Sequence, residues 1–115
     1  MADLRADALA AADATRWMFG AHHGLHIRAC VAFADRNYAQ ARALHTEVLV
    51  RCRAAGYHGG EASSLCDLAM IDLAEGDVVG AWVRYERGLA CYEDAGLDER
   101  ARAARDMWES AANTS

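Results

Sequence analysis

The sequence contains no proline and no lysine, and no apolar run approaches the ~18 to 20 residues that span a bilayer. Because hydrophobic residues make up 54% and charged residues 25% of the chain, neither a disordered protein nor a proline-rich linker is expected. The net charge of −5 argues against a nucleic-acid partner, since phosphate neutralisation needs a dense cationic face. We therefore expect a folded protein that binds neither nucleic acid nor membrane.

The N-terminus lacks the basic region followed by an apolar run that marks a secretory signal. The cysteines Cys30, Cys52, Cys66 and Cys91 are therefore expected to be reduced thiols of a cytoplasmic protein. A length of 115 residues fits one domain over residues 1–115, in which roughly two thirds of the unfolded surface becomes buried.

Apolar residues recur at helical spacing along nearly the whole chain, and no segment alternates with period two for long enough to form a strand. Glycines interrupt this pattern at Gly20, between Gly56 and Gly60, at Gly76 and at Gly96. The pattern predicts an all-α protein with helices at residues 3–19, 22–35, 38–55, 61–75, 78–95 and 98–112. Short connections make consecutive helices pack as antiparallel hairpins.

The chain also repeats itself. The segment FADRNYAQARALHTEVLVRCRAAG superimposes on LAEGDVVGAWVRYERGLACYEDAG with an offset of 40 residues, which places Ala41 on Ala81, Leu49 on Leu89 and Gly56 on Gly96. Self-similarity at such a period is typical of proteins built from stacked repeats.

This pattern resembles the tetratricopeptide repeat (TPR) family, whose signature has a large residue, Leu-Gly, a later aromatic, then Ala and a second aromatic. The second copy carries the resemblance in Leu65-x-x-Leu68-Ala69, Gly76-Asp77, Ala81-x-x-x-Tyr85 and Gly88-Leu89. The 40-residue spacing is similar to that of the longer repeats attached to large bacterial transcriptional activators of the LuxR and antibiotic-regulatory types.

The resemblance implies that antiparallel helix hairpins stack as a short right-handed solenoid. Repeat one would cover residues 22–56 and repeat two residues 61–96. Capping helices at 1–20 and 97–112 would close the two ends, because the terminal faces of a solenoid have no neighbour.

The resemblance also implies a function, a non-enzymatic interaction module that binds a peptide or helix of a protein partner in its concave groove. The first helix of each repeat would line this groove with His23, His26, Cys30, Phe33, Ser63, Cys66, Met70 and Leu73. Such a soft and mostly apolar lining would also accept a small apolar ligand.

A first alternative is a small-molecule-binding protein or enzyme of bacterial specialised metabolism that closes the same groove into a pocket by dimerisation. Cys30 or Cys66 beside His26 would then be a nucleophile with its base, but no elbow, oxyanion loop or catalytic signature accompanies them. We therefore expect no enzymatic activity and no cofactor. Large apolar side chains such as Trp17 and Trp108 fit core packing first and a homodimer contact second.

A second alternative is a soft-metal site. His22, His26 and Cys30 follow an i, i+4, i+8 row on one helical face and would present two or three ligands to zinc or copper. A closed structural site needs about four ligands, so this row is incomplete by itself.

Two charged residues stand at positions where the repeat family packs apolar ones. Arg28 replaces a leucine and Asp72 replaces an aromatic residue, while His45 stands at the second aromatic position of the first copy. A buried charge needs a partner, so we expect Arg28 and Asp72 to pair across neighbouring helices. The alternative is a shifted register that exposes one of them.

Overall fold

The computed structural model describes residues 23–114, and this part of the chain is helical with no strand. Its helices are α1 (His23–Ala34), α2 (Tyr38–Ala55), α3 (His58–Ala74), α4 (Val78–Asp94) and α5 (Asp98–Thr114). The all-α prediction is confirmed, and four of the predicted helices agree with the structure to within two residues at each end. The predicted helix 3–19 and the candidate ligand His22 lie outside the described residues.

The four turns between these helices share one backbone geometry. Each contains a left-handed residue, and these residues follow one another at 20-residue intervals, with φ angles of 60° at Arg36, 69° at Gly56, 87° at Gly76 and 74° at Gly96. In every turn the next residue donates its N–H to the carbonyl five positions earlier, over 2.8 to 2.9 Å. This hydrogen bond satisfies a carbonyl that the end of a helix leaves free. Arg36 is the one L-residue in a position that otherwise holds glycine.

Helices α2 and α4 begin in the same way. Asn37 precedes α2 and accepts a hydrogen bond from the backbone N–H of Gln40 over 3.3 Å. Asp77 precedes α4 and accepts one from the backbone N–H of Gly80 over 2.9 Å. Both side chains cap the first turn of their helix, and they stand 40 residues apart, as the internal repeat predicts.

The third helix begins three residues earlier than predicted. Gly59 and Gly60, which we interpreted as part of a break, lie in its first turn. Their small size serves packing, because a Cβ atom on Gly60 would lie 2.5 Å from the Sγ atom of Cys52 and 2.5 Å from the ring of Tyr57. This close approach lets the start of α3 lie against the end of α2.

The core is centred on α3. Each helix packs against its neighbours in sequence, and α3 also contacts α5. Three clusters of buried apolar residues all include side chains of α3, among them Leu68, which is 3% exposed. Gly88 brings α4 close to α3, since a Cβ atom there would lie 2.7 Å from the Sγ atom of Cys66.

The expected pairing of Arg28 with Asp72 is wrong. Arg28 is exposed on α1, whereas Asp72 is 4% exposed on α3. Asp72 instead pairs with Arg42 of α2 over 2.9 Å and with Arg84 of α4 over 3.2 Å. Since these two guanidinium groups approach from the helices on both sides, the buried carboxylate connects α2, α3 and α4. The alternative expectation was that one of these two charged residues is exposed, and Arg28 is the exposed one.

No helix between residues 23 and 114 has the combination of length and apolarity that is needed to cross a membrane.

Candidate functional site

A cavity of about 150 Å³ lies between α3, α4 and α5. Its walls are mainly apolar and sulfur-containing, with tyrosines from α4 and a charged residue from each of the other two helices. Its lining residues include Ser63, Cys66, Asp67, Met70, Tyr85, Tyr92, Arg100 and Met107. We call this cavity the α3–α5 cavity.

Three aromatic residues pack together where α4 meets α5, beside the α3–α5 cavity. The ring of Tyr85 stacks on that of Trp108 with centroids 4.7 Å apart and planes 12° apart, and Trp82 lies 5.7 Å from Trp108. Trp108 is 9% exposed and therefore packs within the chain, as a core residue does. This stacking holds Tyr85, which lines the α3–α5 cavity, against α5.

The structure brings three of the predicted groove residues together. Ser63, Cys66 and Met70 line the α3–α5 cavity. Leu73 packs with Met70 against the aromatic cluster around Tyr85, and Phe33 packs against the buried core near the end of α1. These last two residues therefore contribute to packing.

The remaining predicted residues lie on α1. His23 and Cys30 are exposed, while His26 is 35% exposed. The Sγ atom of Cys30 lies 3.6 Å from Nε2 of His26, and the other ring nitrogen of His26, Nδ1, lies 3.6 Å from Oδ2 of Asp67. The two ring nitrogens of His26 therefore face different groups.

Sequence reasoning missed a polar cluster that three helices form. His26 of α1, His45 of α2 and Asp67 of α3 converge, and the Nδ1 atom of His45 also lies 3.6 Å from Oδ2 of Asp67. The side chain of His45 is 3% exposed and that of Asp67 25% exposed. His45 stands 40 residues before Tyr85, so a polar residue at a buried aromatic position was the signal available in the sequence. We call these three residues the His-His-Asp cluster.

Burial shifts the protonation of this cluster toward its neutral forms. Loss of water lowers the pKa of His45 to about 4 and raises the pKa of Asp67 to about 7. The pKa of His26 is lowered by burial and by the proximity of His23. At neutral pH both imidazoles of the cluster are therefore uncharged.

The cysteines are poorly suited to nucleophilic chemistry. Burial raises the pKa of the Cys66 thiol to about 12, and burial together with nearby Asp67 raises that of Cys30. Since the thiolate is the reactive form, these groups are held in the unreactive thiol form at neutral pH. Cys66 therefore contributes a soft apolar contact to the cavity.

A larger depression of about 490 Å³ lies over α2, α3 and α4. Its lining includes Arg53 and Glu61, which pair with each other over 3.0 Å. We base the candidate site on the smaller α3–α5 cavity because it is more enclosed than this depression and because three of the predicted groove residues line it.

Comparison with protein-family models, with curated proteins and with solved structures finds no match. The membership in the TPR family that the sequence pattern suggests therefore stays a prediction, and the case for a function rests on the geometry of the site.

Proposed function

We propose that this protein is a non-enzymatic interaction module of TPR type that binds a peptide or helix of a protein partner in a groove containing the α3–α5 cavity. One large apolar side chain of the partner would enter the cavity as an anchor. The observation that supports this proposal is the cavity itself, whose size and walls suit one such side chain.

The volume favours an anchor over a whole ligand. A dry apolar cavity of roughly 150 Å³ has room for a benzene ring, which corresponds to the side chain of Phe, Leu or Met. Sites for drug-sized ligands usually occupy about 300 to 1,000 Å³. The α3–α5 cavity has a volume of about 150 Å³ and lies below that range. A small molecule would therefore be held only in part.

The lining also indicates the chemistry beside the anchor. Cys66, Met70 and Met107 offer polarisable surfaces that adapt to different apolar side chains. Arg100 lies at the same cavity and makes no ion pair with any described residue. We infer that the bound segment carries an acidic residue next to its apolar anchor, so that its carboxylate pairs with Arg100.

Two further features support the wider proposal. The 20-residue spacing of the left-handed turn residues and the 40-residue spacing of the N-caps fit a protein made of repeated helix hairpins. Stacking of these hairpins as a short right-handed solenoid is part of the proposal. All four cysteines are free thiols, which fits a reducing compartment such as the cytoplasm.

The experiment is a selection of peptides from a displayed random library on the untagged 115-residue chain, followed by affinity measurements with the selected sequences. We expect a consensus with one large apolar residue and a neighbouring acidic residue. Met107 is 55% exposed, so Met107→Glu should fold normally while placing a charge at the cavity. This variant should bind the peptides at least about tenfold more weakly, since roughly 1.4 kcal/mol is a factor of ten.

The matched control is Arg87→Ala. Arg87 is exposed on α4 and does not line the α3–α5 cavity, so its removal should leave the affinity unchanged. Equal binding of the selected peptides by Met107→Glu and the wild type would place their site elsewhere and contradict the proposal. A selection that yields no apolar consensus would do the same.

A further inference from the structure

The His-His-Asp cluster is not explained by peptide binding, and its geometry is that of a ligand set. His26, His45 and Asp67 come from three different helices, and a donor atom from each lies within 4.8 Å of the other two. We propose that this cluster binds a divalent first-row transition-metal ion, with Zn²⁺ as its representative. Asp67 also lines the α3–α5 cavity, but this inference does not rest on peptide binding there.

The distances are close to those that a bound ion requires. A zinc ion lies about 2.0 to 2.2 Å from nitrogen and oxygen ligands, which sets neighbouring donors of a tetrahedron roughly 3.3 to 3.6 Å apart. The Oδ2 atom of Asp67 lies 3.6 Å from Nδ1 of His26 and 3.6 Å from Nδ1 of His45. Small rotations of the two rings would complete the set.

Two atoms of the cluster lack any other partner. Nδ1 of His45 and Oδ2 of Asp67 are buried, and neither makes a hydrogen bond with any residue of the described part of the chain. Their separation of 3.6 Å is too long for a hydrogen bond between them. Buried polar atoms in folded proteins are normally satisfied, so this orphaned pair calls for a partner. A metal ion between them would satisfy both atoms.

The chemistry of the donors selects the class of ion. The two imidazole nitrogens and the carboxylate oxygen can each donate a lone pair to a cation that lies between the three helices. Two nitrogens and one carboxylate suit Zn²⁺ and its first-row neighbours, whereas Ca²⁺ and Mg²⁺ prefer oxygen ligands. Three protein ligands leave a coordination position open to water or to a donor atom of a ligand.

This site differs from the single-helix row that the sequence suggested. Cys30 faces Nε2 of His26, while the proposed ion would be held by Nδ1. Cys30 would therefore accept a hydrogen bond from the far nitrogen of the ligand, as outer partners of metal-bound histidines commonly do. His22, the remaining member of the row, is not needed.

A second set of donors, His58, Glu61 and Cys91, provides a control. Its atoms also lie within 4.8 Å of one another, but His58 is exposed and Glu61 pairs with Arg53 over 3.0 Å. Because this arginine already neutralises the carboxylate, we expect no tight metal binding there.

The test uses the untagged 115-residue chain after treatment with a chelator, titrated with Zn²⁺ in a calorimeter. The wild type should bind one ion. His45→Phe, which places an aromatic residue where the second repeat has Tyr85, and Asp67→Asn should each weaken binding by roughly 100-fold or more, since loss of even an outer partner costs about 10- to 100-fold. His58→Ala should bind as the wild type does.

Two further measurements separate loss of metal binding from loss of folding and test which residues are ligands. Circular dichroism establishes that each variant is helical before its affinity is interpreted. The absorption spectrum of the Co²⁺-loaded protein should lack a thiolate-to-cobalt charge-transfer band, because no cysteine is a ligand in the proposed set. Absence of Zn²⁺ binding by the wild type, loss of binding in His58→Ala, or a thiolate band lost in Cys30→Ser would each overturn the proposal.

Discussion

Replacing Asp67 by asparagine should stabilise the metal-free protein, and this stabilisation should grow as the pH rises. Burial raises the pKa of Asp67 to about 7, against ~3.9 for an unfolded aspartate. Between these values the native state holds a proton that the unfolded state has lost, so the contribution of Asp67 to stability falls as the pH rises from ~4 to ~7. Asparagine does not ionise and avoids this loss.

The size of the expected stabilisation follows from how far the pKa of Asp67 is raised. A pKa difference of about three units corresponds to roughly 4 kcal/mol, since one unit is about 1.4 kcal/mol. The side chain of Asp67 keeps 25% of its exposure to water, so the realised gain is smaller. We expect Asp67→Asn to be more stable than the wild type by about 1 to 3 kcal/mol at pH 8 and nearly equal to it at pH 4.

His45 also affects how the stability of the wild type depends on pH. Its pKa is lowered to about 4, so its contribution to stability rises with pH between ~4 and ~6.5, opposite to that of Asp67. These two contributions largely cancel in the wild type, whereas Asp67→Asn should show the rise from His45 alone.

The assay is urea unfolding of both proteins, in the presence of a chelator, at several pH values between 4 and 8. If Asp67→Asn is instead less stable than the wild type, and most so at low pH, then Asp67 is a charged partner of protonated histidines. That result would refute our account of the His-His-Asp cluster as a neutral, unsatisfied site.

Three further changes test the fold. Arg36→Gly should raise the free energy of unfolding by about 0.5 to 1 kcal/mol in urea denaturation, because it relieves a left-handed L-residue at a turn position otherwise held by glycine. Asp72→Ala should lower it by about 2 to 4 kcal/mol, since Arg42 and Arg84 lose their shared carboxylate; an unchanged midpoint would show that this ion pair contributes nothing. Leu68→Ala should cost about 2 to 5 kcal/mol, and a loss within experimental error would show that Leu68 is not a core residue.

The helices could be predicted from the sequence because local signals determine them. Apolar spacing and the turn residues act over a few neighbouring positions, and they recur at Gly56, Gly76 and Gly96. The start of α3 was misplaced because glycine usually marks a break, whereas Gly60 is used here for a close approach between helices. Only the packed structure distinguishes these two uses of glycine.

The site was less predictable because it depends on how helices face one another. Ser63, Cys66 and Met70 were predicted as groove residues from their places in the repeat, but Met107 belongs to a helix that was predicted only as a cap. Asp67 drew no notice in the sequence, since a carboxylate on an amphipathic helix is ordinary until neighbouring helices bury it. The partners of Asp72 were missed for the same reason, because they reach it from two other helices.

The proposed anchor site is tested most directly by nuclear magnetic resonance of protein carrying ¹³C-labelled methionine methyl groups, titrated with a selected peptide. Met70 and Met107 both line the α3–α5 cavity, and substitution of each by leucine assigns its signal. Our account predicts that binding shifts both signals and produces contacts between these methyl groups and the apolar anchor of the peptide. A peptide that binds tightly while both signals stay unchanged would contradict it.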